Sequence, residues 1–221
     1  MENIVFEEDT LNLENVKDYI AKHNIRSIFF AETHGLIPEI EAQEKIISKT
    51  NPKLFLYELL EEEKIISEED YQKFLSKPDE DDFSIISKFK DLKPTVILAK
   101  KFRLPIVGCD IKNMLREDTK FRDTETITEE DVKNEENIMA KREERQLETI
   151  NRCLNQDKEI LLFVSLGAYH LRKESLIRKK VKSNYLLVRP LFDRKEINEV
   201  EDILNSELTF LVTSEIKIKN D

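Results

Sequence analysis

SIFFAETHG, residues 27–35, decides how the rest of the chain is read. Its first five residues are rich in Ile and Phe and apolar on both faces, the mark of a strand covered on both sides. Glu32-Thr33-His34-Gly35 follows at once. The same grammar recurs down the chain. KLFLY (53–57) is followed by Glu58, PIVG (105–108) by Cys109 and Asp110, and EILLFVS (159–165) by Leu166 and Gly167-Ala168-Tyr169-His170. YLLVR (185–189) and LTFLVT (208–213) read as further strands. Between them lie helical patterns at 13–23, 38–48, 67–76, 90–102, 173–182 and 195–206. The stretch 67–76 opens with Ser-Glu-Glu-Asp, a capping signature. A longer helix starts at the capping-box sequence Thr-Glu-Glu-Asp near 128 and runs to about 155. It carries apolar residues at Ile138, Met139, Leu147, Ile150 and Leu154. The polar segment 116–127 before it reads as a loop. This alternation predicts an α/β fold, with a mostly parallel central sheet, helices on both faces and the last two strands antiparallel at an edge. No linker divides the chain, so residues 1–221 are expected to form a single α/β domain with its motif-bearing core at about 25–175.

Composition narrows the function classes. The chain has 221 residues, 37% charged and 39% hydrophobic, and a formal net charge of -10. Nucleic-acid binding leaves a basic footprint, which the overall balance opposes. The basic cluster at 172–182 reads as a solvated helix face. The two cysteines, Cys109 and Cys153, form no metal-ligating pattern and no disulfide framework. The acidic start MENIVFEEDT shows no signal peptide, and no apolar run approaches the roughly 20 residues that span a bilayer. The expectation is a cytoplasmic protein with a small-molecule or peptide substrate, without nucleic-acid or membrane partners.

Ligands of open α/β sheets bind at the carboxyl ends of the strands. Four such ends here supply Glu32, His34, Glu58, Asp110 and His170. Only three histidines occur in the chain, and two of them fall at these ends. The third, His23, closes a helix, where a cation suits the helix dipole. Imidazoles and carboxylates converging in this way fit hydrolysis. They can ligate zinc, manganese or cobalt, which lowers the pKa of bound water. Without a metal, a His–Glu pair can act as a general base. No HExxH motif, nucleophile elbow, P-loop or GxGxxG is present. Cys109 is a weaker candidate, as a strand-end nucleophile.

FFAETHGLIPEIEAQEKI followed by LFLYELLEE resembles the erythromycin esterase-like, ChaN-like and TraB/PrgY/Tiki group. Members carry a Gly-x-x-His type loop after the first strand, a Glu after the second, an Arg on a long helix and a second Gly-x-x-His. Here the second loop is intact as Gly167-Ala168-Tyr169-His170. In the first, Ala31 takes the Gly position. The resemblance covers roughly 25–175. It implies that Glu58 is the post-strand Glu and that Arg142, or Arg145 one turn on, is the helix Arg. That Arg would hold anionic or oxyanion charge.

Two functions follow as expectations. The first is a hydrolase of esters or amides. His34, Glu58 and His170 would be metal ligands or acid/base groups, Glu32 and Asp110 would orient the imidazoles or join the ligand set, and Arg142 would hold anionic charge. The second is a non-enzymatic binder of metal or haem using the same histidines, with Tyr169 as a candidate axial ligand.

Overall fold

The chain order of elements is β1 (Ile4–Thr10), α1 (Val16–Lys22), β2 (Ile25–Glu32), α2 (Ile37–Thr50), β3 (Leu54–Tyr57), β4 (Lys64–Ile65), α3 (Glu68–Leu75), α4 (Ile86–Lys101), β5 (Ile106–Gly108), α5 (Glu129–Gln156), β6 (Leu162–Gly167), α6 (Leu176–Lys180), β7 (Asn184–Leu191) and β8 (Leu211–Lys219). They come from a computed structural model that describes residues 4–10, 13–33, 37–76, 86–112, 129–191 and 211–219. Short 3-10 turns at Glu58–Leu60 and Ala168–Leu171 follow β3 and β6. The expected helix at 195–206 and loop at 116–127 lie outside the described residues.

Among the described residues, one eight-stranded sheet runs β1-β8-β7-β2-β6-β3-β5-β4. Its five central strands, β7, β2, β6, β3 and β5, are mutually parallel. Antiparallel strands complete both sides: β8 and β1 beyond β7, and β4 beyond β5. The parallel sheet with helices on both faces is the predicted architecture. One detail differs. β8 does pair antiparallel with β7, but it is not the edge, because β1 from the acidic N-terminal stretch pairs along it.

The parallel strands are mostly apolar because both of their faces are covered. Along β2, Ile28 and Phe30 join Phe55, Tyr57 and Phe163 under α1 to α4. Phe29 and Ala31 point the other way, with Leu56, Val164 and Leu166, against Leu147, Ile150 and Leu154 of α5 and Ile177 of α6. Residues of one strand alternate between faces, so each core takes every second side chain.

Two features position the site. First, β6 enters the sheet late. The chain builds β2, β3 and β5 and then returns to insert β6 between β2 and β3 before adding β7. This reversal brings the carboxyl ends of β5, β3, β6 and β2 side by side, where open sheets bind ligands. Second, α5 leads into β6 and so runs back against the strand direction, as a crossover helix must. Its C-terminal half, with Leu147, Ile150 and Leu154, lies on the sheet. Its earlier turns stand beside the carboxyl ends, where a polar inner face can be used.

Local chemistry matches several sequence signals. Ser67 caps α3 in a full capping box with Asp70. The helix expected at 173–182 is shorter, spanning Leu176–Lys180 with Ser175 Oγ accepting from the Arg178 amide. The basic cluster is not wholly solvated. Lys173, Lys179, Lys180 and Lys182 are exposed, but Arg178 is buried and donates to Tyr185 and to the Leu171 carbonyl.

Candidate metal centre at the strand ends

Backbone interlocking sets the first two acids. Glu58 leaves β3 on the 3-10 turn, and the chain reverses at Glu61, which has φ 55. The end of β5 docks on this reversal. Gly108 donates its amide to Glu63 at 2.8 Å, and Asp110 donates to Glu61 at 3.2 Å. A Cβ on Gly108 would fall 2.1 Å from the Glu61 carbonyl oxygen, so only glycine permits the approach. Glu58 and Asp110 are thereby carried to the same place by two different strands.

Helix α5 supplies the counter-charge. Arg142 Nη2 donates to Glu58 Oε1 at 2.6 Å and to Asp110 Oδ2 at 2.7 Å, and its Nε donates to the same Asp110 oxygen at 3.0 Å. Gln146, one turn on, donates to Asp110 Oδ2 at 2.9 Å. The other Asp110 oxygen accepts from the Ile111 amide at 2.7 Å. Burial opposes the charge of Arg142, but Asp110 and Glu58 outweigh it and raise its pKa further. Arg145 points elsewhere, to Glu148 at 3.4 Å on the surface. Of the two arginines the resemblance left open, the structure turns Arg142 inward.

The second Gly-x-x-His loop closes the cluster. The Gly167 amide donates to Glu58 Oε2 at 2.5 Å. His170 places Nε2 3.4 Å from Glu58 Oε1 and Nδ1 3.8 Å from Glu143 Oε1. Burial by itself lowers the imidazole pKa, but the carboxylates of Glu143 and Glu58 outweigh it and hold the pKa above the ordinary value. Glu143 accepts from Arg172 and, at 2.9 Å, from the Leu176 amide. Its burial is outweighed by His170, that amide and Arg172, so its carboxyl sits below the usual range. Glu58, Asp110 and His170 are all buried, and one ligand atom from each lies within 4.8 Å of the others. Beside them Tyr169 is 56% exposed, with the Arg172 guanidinium stacked 4.2 Å above its ring.

Four predicted residues therefore come together: Glu58, Asp110, Arg142 and His170. Glu32 is set apart. It ends β2 on the same face as Ile28 and Phe30, turned toward α2, and accepts from Tyr57 Oη at 3.2 Å and Ser165 Oγ at 2.5 Å. His34 lies outside the described residues; Thr33 before it donates its amide to both oxygens of Glu39, at 2.9 and 3.0 Å. Cys109 is sealed in the core, and burial pushes its thiol well above its ordinary value, which removes it as a nucleophile.

Glu143, Gln146 and Arg172 escape the sequence reading. A signal for two of them exists. Extended N-terminally at helical spacing, the α5 stripe Leu147, Ile150 and Leu154 falls on Glu143 and Gln146, polar residues at inward positions.

Fold and site together define an open α/β sheet protein with a buried carboxylate–imidazole–guanidinium cluster at the carboxyl ends of three adjacent strands. No family model matches the sequence, and no curated protein matches it significantly. Among solved structures the chain is similar to one described as "Cofacial heme binding to ChaN of Campylobacter jejuni", at 12% identity and a TM-score of 0.47 over 92% of this chain and 93% of that one. It is also similar to one described as "Bacterial protein toxins", at 12% identity and a TM-score of 0.44 over 79% of this chain. The match spans 39% of that second, longer chain.

Proposed function

We propose that this protein binds a divalent metal ion through Glu58, Asp110 and His170. One observation carries the proposal: three buried ligand-type side chains from three strand ends present donor atoms within 4.8 Å of one another. Two carboxylates and an imidazole suit zinc, manganese or cobalt. The charge pattern agrees. A guanidinium already sits against the Glu58 and Asp110 oxygens, so the site is built to hold positive charge. An ion entering it competes with Arg142 for those oxygens.

Isothermal titration of the chelator-treated chain with manganese, zinc and cobalt tests this. One ion per chain is expected, with binding lost in Asp110→Asn and His170→Ala. No binding by the parent protein, or equal binding by both variants, overturns it.

Hydrolysis of an ester or amide in a small-molecule or peptide substrate is the second reading. Arg142 favours it, as a buried guanidinium at the donor set and suited to oxyanion charge. A metal at this position would lower the pKa of a bound water. Haem is the remaining expectation. A Soret band on adding haemin that Tyr169→Phe abolishes would assign the exposed Tyr169 to haem in place of a buried ion.

A further inference from the structure

His170 can present only one ring nitrogen to the cluster, and something must decide which. Its Nε2 faces Glu58 at 3.4 Å, which turns Nδ1 outward from the site to Glu143 at 3.8 Å. Nδ1 is buried and makes no hydrogen bond. A polar hydrogen left in this state is costly, and the nearest acceptor is already fixed. Glu143 is 3% exposed at its side chain and anchored from two sides, by Arg172 and by the Leu176 amide. Arg172 in turn holds the Tyr169 carbonyl at 2.8 Å, one residue from His170. The carboxylate is thus braced by the very segment that carries the imidazole.

We infer that Glu143 is the positioning residue of His170: it accepts the Nδ1 proton in a hydrogen bond and so commits Nε2 to the cluster of Glu58 and Asp110. Closing the gap of 3.8 Å to a hydrogen bond of about 3.0 Å takes a shift of about 0.8 Å between Nδ1 and the carboxylate, within reach of a ring rotation. A carboxylate on the far nitrogen fixes ring orientation and strengthens the near nitrogen as a donor to a cation. The second part of this role rests on the metal reading above; the first does not.

The experiment therefore reads two quantities. In the metal-free chain, on the acid side of the His170 titration, proton–nitrogen NMR follows the Nδ1 proton. It is expected far downfield and slow to exchange, and Glu143→Gln is expected to move it upfield and speed its exchange. In zinc titrations the same variant is expected to bind about 10- to 100-fold more weakly than the parent. A parent spectrum without a protected downfield Nδ1 proton overturns the inference with no variant needed. So does a folded Glu143→Gln whose Nδ1 signal is unchanged. If the parent chain binds no zinc but shows the Glu143-dependent proton, the metal reading fails and the positioning role stands.

Discussion

Arg142 donates from both Nε and Nη2 to one oxygen of Asp110, and that oxygen also accepts from Gln146. Three donors on one carboxylate oxygen hold α5 to the end of β5. With Glu58 on the same guanidinium, the contact joins the ends of β3 and β5 through one side chain. Charges this deeply buried are stable only as a set.

Replacing Arg142 with Met breaks the set. In the metal-free protein the loss is expected to be about 3–5 kcal/mol, because Glu58 and Asp110 remain buried without their cation. A saturating divalent metal is expected to return part of it, by supplying positive charge at the same oxygens. Urea unfolding of parent and variant, with chelator and with zinc, measures both. A variant as stable as the parent in chelator would show that the guanidinium is not the resident counter-charge.

The raised pKa of His170 gives stability a direction in pH. A folded-state pKa above the unfolded value of about 6.5 means the folded protein holds the proton more tightly. The contribution is complete below that value and disappears as pH rises through the folded pKa. The stability difference between the parent and His170→Asn, measured in chelator, is therefore expected to shrink as pH rises past neutrality. Metal affinity runs the opposite way and falls on acidification, since the ion and the proton compete for the ring. A stability difference that grows with pH would contradict the sign.

Glu32 offers a contrast between two buried acids at strand ends. It bonds Tyr57 and Ser165 on the α2 face, while the ligand atoms that lie within 4.8 Å of one another are those of Glu58, Asp110 and His170. Glu32→Ala is expected to cost about 1–3 kcal/mol by stranding the two hydroxyls, with zinc affinity unchanged. Denaturation and zinc titration of one preparation settle it. A large loss of zinc binding in a folded variant would bring Glu32 into the metal centre.

Gly108 makes a close backbone approach beside the site. An added methyl meets the Glu61 carbonyl at 2.1 Å, and neither partner is a movable side chain end. Gly108→Ala is expected to cost about 1–3 kcal/mol or more, and to weaken metal binding by shifting Asp110 relative to Glu58. Calorimetric melting with and without zinc reads both effects. Parent-like behaviour in each would mean that the two strand ends are not locked together.

Much of this was legible because the patterns are local. A strand apolar on both faces announces a covered parallel sheet, and residues 27–31, 53–57 and 159–165 are all of that kind. The residues just past such strands fall together by topology, which is why Glu58, Asp110 and His170 could be named in advance. β1 was not legible. IVFEEDT mixes apolar and acidic residues, and its partner β8 lies at the opposite end of the chain, so nothing nearby marks it as a strand. The two residues of β4 are too few to show any period.

Sequence alone determined the architecture and the rim on which the site is built, since burial on both faces and strand–helix alternation are written in adjacent residues. Tertiary structure alone decided which of the rim residues meet and which helix side chains they meet. Glu32 still follows the alternation of β2 and so faces α2, whereas Glu58 has passed onto a turn and meets α5. Arg142, Glu143 and Gln146 serve the site because α5 runs back along the sheet and overhangs the strand ends with its earlier turns. Which acid meets which cation depends on contacts between residues as far apart as Glu58 and Arg142, and no local pattern carries that distance.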